Sequence, residues 1–336
     1  MRAIVYSEKG PSSVLRAVER PIPEPGAGEV RVKIARAGVN PTDVKSRSGA
    51  ATRGDFAEVT PGQDGAGTVD ALGVGTLGLA VGDRVWVYLA QHGQAHGTAA
   101  EYVTVPAERA VRLPDSAGFD LGATLGVPAV TAHRALTSGA VARLFPGSLA
   151  GQTVLVQGGA GAVGNAAIQL ARWAGASVIA TVSSDEKGAL ARAAGAHHVV
   201  DYKHADAAAE IRRIAPDGVD LVVEVAPAVN NPLDQAVAKN GATIAFYANN
   251  GGDRLVLDIR PTFSLGLRYQ GLLLYTLSAE LLEAAVADVS AAVAAGALQV
   301  GEEHGLPLHH FTLDDTAAAH DAVDEGAVGK MLIDVA

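Results

Sequence analysis

Residues 153–164 read Thr-Val-Leu-Val-Gln-Gly-Gly-Ala-Gly-Ala-Val-Gly, and this stretch decides the fold. An apolar run is followed by glycines spaced as Gly159-x-Gly161-x-x-Gly164, and then by an alanine-rich segment of helical composition at 163–174. Between a strand and a helix, this spacing predicts a turn that binds the phosphates of a dinucleotide. The first glycine permits a tight turn, the second leaves room for the pyrophosphate, and the third lets the helix pack closely on the sheet. The phosphates are expected at the positive end of a helix that begins near Ala162.

The chain around this turn alternates between short apolar strands and alanine-rich helices from about residue 125 onward. Apolar strands of this kind are typical of parallel sheets that helices cover on both faces. The pattern therefore predicts an α/β fold with a doubly wound parallel sheet of six strands. The predicted strands are residues 154–157, 177–182, 198–201, 220–225, 243–247 and 271–274.

The first 125 residues show short strands interrupted by glycine and proline, which predicts an irregular β-rich domain. After residue 275 the sequence predicts a helix at 279–295, a second helix at 316–324 and a strand at 330–335. This tail is too short to fold alone, so we expect it to return to the first domain. The predicted division is 1–125 with 276–336 as one domain, and 126–275 as the dinucleotide-binding domain.

The end of the second predicted strand indicates which dinucleotide binds. A site that prefers NAD usually places an acidic residue about 20 residues after the glycines, where it bonds the ribose 2′-hydroxyl. Here that position holds Ser183 and Ser184, followed by Lys187. Hydroxyl and ammonium groups can bind a 2′-phosphate, so the sequence favours NADPH over NADH. The alternative is that one serine only caps the next helix, whose first residues Asp185 and Glu186 would weaken a positive field.

Composition excludes several classes of protein. The net charge of −10 disfavours nucleic acid and anionic membranes as general partners. Cysteine is absent, which excludes disulfides, a thiol nucleophile and a cysteine-ligated metal. The chain starts in a strand-like segment and contains no run of ~18 apolar residues, so we expect a soluble cytoplasmic protein. The histidine pairs His92/His96 and His309/His310 lack a nearby carboxylate in a ligand pattern, so no metal site is predicted.

Five further segments accompany the glycine turn. They are Gly-Val-Asn-Pro-Thr-Asp at 38–43, Pro-Gly-Gln-Asp-Gly-Ala-Gly at 61–67, Gly-Asp-Arg-Val at 82–85, Gly-Val-Pro-Ala-Val-Thr-Ala-His-Arg-Ala-Leu at 126–136, and Gly-Lys-Met at 329–331. In these segments the chain resembles the zinc-free, ζ-crystallin-like quinone oxidoreductase branch of the medium-chain dehydrogenase/reductase superfamily. The resemblance implies a GroES-like catalytic domain, built from both chain ends, around a central Rossmann domain, with the active site in the cleft.

The resemblance also implies a metal-free site. Zinc alcohol dehydrogenases have a cysteine ligand where this chain has Asn40 and a histidine ligand where it has Gln63, and both replacements remove good zinc ligands. By the resemblance, Asn40, Asp43, Lys45 and Gln63 are the candidate catalytic residues. Lys45 stands where the family often has tyrosine, which puts substrate preference in doubt. A plainer reading makes the segment at 40–43 a helix start capped by Asn40 or Thr42.

The resemblance assigns the cofactor contacts residue by residue. The pyrophosphate would lie at the glycine turn, and the 2′-phosphate near the end of the second strand. The rest of the cofactor would lie along other strand ends, the sixth strand and the returning tail. The implied cofactor-binding residues are Gly159, Ala160, Gly161, Ala162, Val163, Gly164, Ser183, Ser184, Lys187, Tyr202, Asn230, Phe246, Tyr247, Ala248, Asn249, Gly271, Leu272, Leu273 and Lys330. Phe246 and Tyr247 have a core-packing alternative.

The resulting functional hypothesis is an NADPH-dependent quinone oxidoreductase that transfers hydride directly from nicotinamide C4 to a quinone-type acceptor. One alternative is reduction of activated carbon–carbon double bonds, for which Tyr247 is the nearby candidate proton donor. A second is a structural or regulatory protein that binds NADPH, because fold does not determine function. The apolar stretch near residues 271–275 would be an exposed sheet edge, which predicts a homodimer that pairs this strand with its copy.

Overall fold

The structure is a computed structural model, and it describes residues 1–51, 54 and 56–335. The chain divides into two compact units. The terminal unit comprises Met1–Val127 together with the chain from Leu308 onward, and the central unit comprises Pro128–Pro307. Among the described residues, no helix combines the length and apolar character needed to cross a bilayer.

The terminal unit is a β-rich domain whose main sheet includes strands from both ends of the chain. Its strands are β1 Arg2–Val5, β2 Arg16–Glu19, β3 Glu29–Val39, β4 Asp64–Leu72, β5 Arg84–Val87, β6 Tyr102–Pro106, β7 Ala110–Arg112, β14 Leu308–Thr312 and β15 Lys330–Asp334, and its helices are α1 Pro41–Ser48, α2 Phe119–Gly122 and α10 Thr316–Asp324. The main sheet has the order β14-β15-β3-β4-β5-β7, and β6 also pairs with β3. Met331 on β15 lies opposite Val39 on β3, so the last part of the tail returns to the first domain, as predicted.

The central unit contains the predicted doubly wound sheet. Its strands are β8 Thr153–Val156, β9 Ser177–Val182, β10 His198–Asp201, β11 Val219–Glu224, β12 Ala238–Phe246 and β13 Arg268–Gly271, and its helices are α3 Val130–Leu136, α4 Ala162–Trp173, α5 Asp185–Ala193, α6 Ala207–Ile214, α7 Pro227–Val237, α8 Ile259–Ser264 and α9 Ala279–Ala294. The six strands pair in parallel in the order β10-β9-β8-β11-β12-β13. The strand order reverses beside β8, and in open parallel sheets ligands bind at the carboxyl ends of the strands at such a point.

The sixth strand lies earlier in the sequence than predicted. The apolar residues 271–274 suggested a strand, whereas β13 is Arg268–Gly271. Its register is set by β12, since Thr243 lies opposite Arg268 and Phe246 opposite Gly271. The leucines that follow leave the sheet through a 3-10 turn at Leu274–Thr276. The apolar run therefore serves packing beyond the strand, and the edge strand itself is largely polar.

The second domain boundary also differs from the prediction, because residues 276–307 belong to the central unit. Helix α9 is joined to α3 by Asp288, whose Oδ2 lies 2.8 Å from His133 Nε2 and accepts a hydrogen bond from Leu144 N at 2.7 Å. Farther along, Asn165 Nδ2 on α4 donates to the carbonyl of His304 at 2.8 Å. These contacts lie about 140–155 residues apart in sequence, so helix and strand patterns do not reveal them.

Candidate functional site

The glycine turn joins β8 to α4, and each glycine has a distinct steric role. Gly158, outside the predicted triplet, has the left-handed conformation, with φ of 72°, so it makes the tight turn assigned to Gly159. A Cβ on Gly159 would lie 2.8 Å from Ala180 Cβ, and one on Gly164 would lie 2.4 Å from the carbonyl oxygen of Gly158. Gly161 differs, because its nearest neighbour would be 3.5 Å away. The packing of the protein itself therefore does not require glycine at position 161. Space for a bound ligand is the remaining explanation for this glycine.

The start of α4 offers a suitable environment for phosphate. Gly161 is its N-cap, in extended conformation with φ −82° and ψ 162°, and the helix runs for 12 residues from Ala162. The first backbone N–H groups of a helix have no partner within it, and the helix dipole places partial positive charge there. Ala160, Ala162, Val163 and Gly164, the residues around this helix end, all have small side chains or none, and helix ends of this kind can bind an anion.

The two serines after β9 make different hydrogen bonds. Ser184 caps α5, since its Oγ accepts a hydrogen bond from Lys187 N at 3.3 Å. Ser183 instead accepts a hydrogen bond from Lys187 Nζ at 3.2 Å. The capping interpretation is therefore confirmed for Ser184, while Ser183 and Lys187 place a hydroxyl and an ammonium group side by side, as a phosphate site requires.

A cavity of about 490 Å³ lies in the central unit beside these residues. Its walls include Gln157 at the end of β8, Tyr202 after β10, and Asn230 on α7. Tyr202 is half exposed, and its backbone N–H donates to Val182 O at 3.1 Å, which brings it next to Ser183. The structure thus places two predicted cofactor residues, Tyr202 and Asn230, on one cavity, with the apolar lining common in ligand pockets.

The predicted cofactor residues at the ends of β12 and β13 pack against each other. The Phe246 ring covers Gly271, where a Cβ would lie 3.1 Å from the ring, and Leu272 N donates to Phe246 O at 2.9 Å. Phe246 therefore has the packing role given as its alternative. Leu273 is 51% exposed. The remaining residues of this set, Tyr247, Ala248 and Asn249, follow β12 directly.

The terminal unit brings together two predicted residues, Asn40 and Lys330, and one that was not predicted, Asp64; we call these three residues the Asn40 cluster. Lys330 Nζ donates to Asn40 Oδ1 at 2.6 Å and lies 3.6 Å from Asp64 Oδ2. Asn40 Nδ2 donates to Asp64 Oδ2 at 2.8 Å, and Val127 N donates to Asp64 Oδ1 at 2.7 Å. All three side chains of the cluster are buried. Lys330, predicted as a cofactor residue, thus belongs with the predicted catalytic residue Asn40.

Charge in the Asn40 cluster is balanced within the protein interior. Burial raises the pKa of Asp64, and the Lys330 charge and the hydrogen bonds from Asn40 and Val127 oppose that rise. Burial likewise lowers the pKa of Lys330, opposed by the charges of Asp64 and Asp43. Each group therefore favours the ionised form of the other, and removing either one leaves a buried charge without its partner.

The other predicted catalytic residues lie around this cluster. Asn40 and Asp43 form a reciprocal capping box at the start of α1, and Asn40 N donates to Asp43 Oδ2 at 2.8 Å. The capping interpretation is confirmed, and it coexists with the contacts of Asn40 to Lys330 and Asp64. Lys45 is half-buried on the same helix. Gln63 is buried, and its Nε2 donates to Gln91 Oε1 at 3.1 Å.

Of the histidines considered as metal ligands, His309 and His310 have other contacts. His309 Nε2 lies 2.9 Å from Val328 O, and His310 Nδ1 lies 2.8 Å from Asp334 Oδ1. Within residues 1–51, 54 and 56–335, no group of three or more His, Cys, Asp or Glu side chains is placed to hold a metal ion.

Asp64 is the main site residue that sequence reasoning did not select. It stands in the quoted segment at 61–67, directly after Gln63. The available signal was a carboxylate within a stretch of glycine and alanine that starts β4, since such a residue is almost never buried without a partner. The partner, Lys330, is 266 positions away in sequence.

Comparisons with known proteins cover the whole chain. Residues 26–115 match the family described as alcohol dehydrogenase GroES-like domain, and residues 162–294 match zinc-binding dehydrogenase. Quinone oxidoreductase of Rattus norvegicus is 31% identical over 341 residues, which covers 99% of this chain and 97% of the relative. A solved mycobacterial structure complexed with NADPH is 29% identical, with a TM-score of 0.84 and full coverage (100%) of both chains. A solved NAD-dependent alcohol dehydrogenase is 28% identical, also with a TM-score of 0.84 and 100% coverage of both chains.

Proposed function

Because the chain belongs to the quinone oxidoreductase branch of the medium-chain dehydrogenase/reductase superfamily, we propose that it is an NADPH-dependent quinone oxidoreductase. The observation that carries the proposal is the glycine turn. A Cβ at Gly161 would have room, whereas a Cβ at Gly159 or Gly164 would meet neighbouring atoms at short distance. The first N–H groups of α4 lie beside Gly161 and favour an anion at this position. NADPH, when bound, supplies hydride from nicotinamide C4.

The choice of NADPH rests on the Ser183–Lys187 pair. The hydroxyl and the ammonium can together bind a 2′-phosphate, and Tyr202 borders the same region. Asp201, at the end of β10, could instead favour a ribose hydroxyl. Its carboxylate, however, accepts a hydrogen bond from Lys203 N at 2.9 Å and lies 3.0 Å from His204 Nδ1. These contacts tie Asp201 to its own turn, which supports NADPH over NADH.

The Asn40 cluster supplies the candidate catalytic groups. The Lys330 ammonium donates to Asn40 Oδ1 and forms an ion pair with Asp64. We infer that this positive charge stabilises a substrate oxygen that becomes negative as it is reduced. Asp64 then acts as a positioning residue, because it holds both Asn40 Nδ2 and Lys330 Nζ in place.

The acceptor class follows from the proton donors. Burial and the charge of Glu224 raise the pKa of Tyr247 far above its ordinary value, so Tyr247 is a weak acid in this fold. Reduction of an activated carbon–carbon double bond needs an effective donor at carbon, whereas a reduced quinone takes protons on weakly basic oxygens. The environment of Tyr247 therefore favours a quinone over an enone, an alkenal or an enoyl thioester.

A panel of acceptors tests the reaction. NADPH oxidation is measured with 9,10-phenanthrenequinone, 1,4-benzoquinone, an enone and an enoyl thioester. The proposal expects turnover with the quinones, and faster turnover with the enone or thioester would replace it with the double-bond reductase. Tight NADPH binding without any turnover would instead favour a structural or regulatory role.

The Lys187→Ala variant tests the cofactor assignment. We expect the KM for NADPH to rise while the KM for NADH stays nearly constant, because only the 2′-phosphate contacts the lost ammonium. Lys203→Ala is the matched control, since Lys203 is an exposed lysine nearby. An unchanged ratio of the two KM values in Lys187→Ala would disprove the assignment.

We also propose that the protein forms a homodimer through the central sheet. β13 lies at the end of the strand order, beside β12, so an unpaired edge faces outward, next to the exposed Leu273. The backbone groups of an open edge favour pairing with a second strand, even where the strand itself is polar. Light scattering at micromolar concentration tests this, and a monomer mass would refute it.

A further inference from the structure

Two carboxyl groups lie fully buried behind the cofactor cavity of the central unit. Glu224 is the last residue of β11 and Asp234 lies on α7, and both side chains have 0% exposure. Neither residue was selected from the sequence, and the proposed hydride transfer uses neither. Buried carboxylates are costly unless they are paired, so this arrangement needs an explanation.

One oxygen of each carboxyl is held by groups that build the cofactor site. Glu224 Oε1 accepts hydrogen bonds from Ala226 N and, at 3.1 Å, from Asn230 Nδ2 on the cavity wall. Asp234 Oδ1 accepts from Gln157 Nε2 at 2.8 Å. The two carboxyls thus connect the start of α7 with the end of β8.

The contacts continue from Gln157 to the glycine turn. Gln157 Oε1 accepts a hydrogen bond from Thr181 Oγ1 at 2.5 Å, and Thr181 Oγ1 accepts one from Gly158 N at 3.3 Å. Gly158 is the left-handed residue that makes the turn. The side-chain amide of Gln157 cannot be flipped without losing hydrogen bonds, because its oxygen faces a hydroxyl donor and its nitrogen faces a carboxyl.

The remaining oxygens, Glu224 Oε2 and Asp234 Oδ2, are buried and receive no hydrogen bond from an N–H or hydroxyl group. A carboxyl group that keeps its proton would supply the missing donor, and each of the two side chains lies within reach of the other. In the part of the chain that the structure describes, neither carboxyl forms an ion pair with lysine, arginine or histidine. Two carboxylates in contact repel each other, and a single proton between them removes the repulsion and satisfies both oxygens.

The surroundings agree with a retained proton. Burial raises the pKa of Asp234, and the charge of Glu224 raises it further; burial also raises the pKa of Glu224. Two titratable groups on neighbouring elements interact with the pair. The charge of Glu224 raises the pKa of Tyr247, which follows β12, and the charge of Asp234 raises the pKa of Tyr269 on β13. Both tyrosines are uncharged at neutral pH, so neither offsets a second negative charge.

We propose that Glu224 and Asp234 share one proton and form a positioning pair that holds the cofactor cavity and the glycine turn in their binding geometry, and that loss of this proton at alkaline pH weakens NADPH binding. This inference rests on the proposed cofactor. Deprotonation would put two like charges in contact behind the cavity wall, push α7 from β11, and add negative charge near an anionic ligand.

The isosteric variants Asp234→Asn and Glu224→Gln test the pair, because each replaces the shared proton by an amide N–H. Binding of NADPH is measured by fluorescence titration from pH 7 to pH 9.5. For the unaltered protein we expect the Kd to rise by on the order of tenfold over this range, the size that one added charge can produce near an anion. Each single variant should lack most of this rise. An equal rise in the variants would overturn the proposal.

The apoprotein gives a readout that does not depend on the cofactor. A raised pKa means that the folded state holds a proton that the unfolded state releases, so stability falls as the pH rises from about 4 toward the folded pKa. We therefore expect the difference in Tm, Asp234→Asn minus the unaltered protein, to increase between pH 5 and pH 8. Asp217→Asn, an exposed acid on the surface, is the matched control and should show no gain.

The double variant Asp234→Asn/Glu224→Gln gives a third expectation. It leaves two NH₂ groups facing each other with no acceptor between them, so its Tm should fall below that of either single variant. A double variant as stable as the singles would refute a shared proton. If the protein fails to bind NADPH at all, the proposed function fails, while the Tm measurements still decide whether the proton is shared.

Discussion

Replacing Gly161 by alanine is expected to separate cofactor binding from folding. Gly161 already has an extended conformation that alanine adopts without strain, with φ −82° and ψ 162°. A Cβ there would meet its nearest neighbour, Gly158 O, at 3.5 Å, an ordinary contact. Alanine reduces the freedom of the unfolded chain, which stabilises a compatible site by about 0.4–1 kcal/mol, and the lower preference for alanine at a helix N-cap offsets a similar amount. The Tm of the apoprotein should therefore change by no more than about 2 °C.

The same methyl group occupies the space through which the pyrophosphate would approach the start of α4. We therefore expect NADPH affinity to fall at least about tenfold, or ~1.4 kcal/mol, while the stability of the apoprotein is nearly unchanged. Circular dichroism melting gives the Tm and isothermal titration gives the Kd. A variant that binds NADPH as tightly as the unaltered protein would refute the assignment of the phosphate site.

Gly164→Ala is the matched control, because it should destabilise the folded apoprotein whereas Gly161→Ala should not. Its Cβ would lie 2.4 Å from Gly158 O and 3.0 Å from Gly159 Cα, both rigid backbone atoms. Overpacking of this kind costs up to about 3 kcal/mol, and alanine recovers roughly 1 kcal/mol of helix propensity. The net loss of about 2 kcal/mol should lower the Tm by about 4–8 °C. If both variants destabilise the apoprotein equally, the steric distinction between the two glycines is wrong.

Three further predictions concern buried charges. Lys330→Met should cost about 3 kcal/mol in urea unfolding, because it leaves Asp64 buried without its cation, and adding Asp64→Asn should recover part of that loss. Burial lowers the pKa of His320 to about 3, so the unfolded state binds the extra proton below about pH 6.5 and stability falls on acidification. Between pH 6.5 and pH 5, the unaltered protein should lose about 2 kcal/mol of folding stability through His320, and His320→Leu should not. The plot of Tm against pH should therefore be flatter for the variant. Asp288→Asn should destabilise the central unit by about 2–4 kcal/mol in thermal melts, because it weakens the contacts of α9 with His133.

Each of these predictions has a defined contrary result. For the Asn40 cluster, a double variant no more stable than Lys330→Met would show that the two charges are not coupled. For His320, an unchanged dependence of Tm on pH would place the titration elsewhere. For α9, the exposed Glu283→Gln on the same helix is the control, and an equal effect of the two variants would contradict a special role for Asp288.

Local pattern predicted most of the fold because the relevant signals lie close together in sequence. The strands β9 and β10 were predicted at their observed bounds, since each is a short apolar run with clear turns on both sides. The sixth strand was displaced because its leucines carry a stronger apolar signal than the residues that pair with β12. The helix α9 was assigned to the wrong unit for a similar reason: its pattern predicts a helix, and only its contacts show which core it joins.

The candidate site divides in the same way. The glycine turn and the Ser183–Lys187 pair are local, so spacing alone pointed to them. The Asn40 cluster joins residues up to 290 positions apart, and the sequence offered Lys330 as a cofactor residue rather than as the partner of Asn40 and Asp64. Asp64 and the Glu224–Asp234 pair escaped notice because a single acidic residue in a strand or helix does not show whether it is buried.

The sequence by itself determined the dinucleotide turn, the parallel sheet around it and the absence of cysteine chemistry, because these depend on residue type and short-range spacing. Tertiary structure decided which glycine makes the turn and which leaves room for a ligand, since that depends on atoms from β9 and α4 that meet only in the fold. It also decided the charge state of the buried acids. A carboxyl group acquires its pKa from burial and from the groups beside it, and the chain brings those together only when it folds.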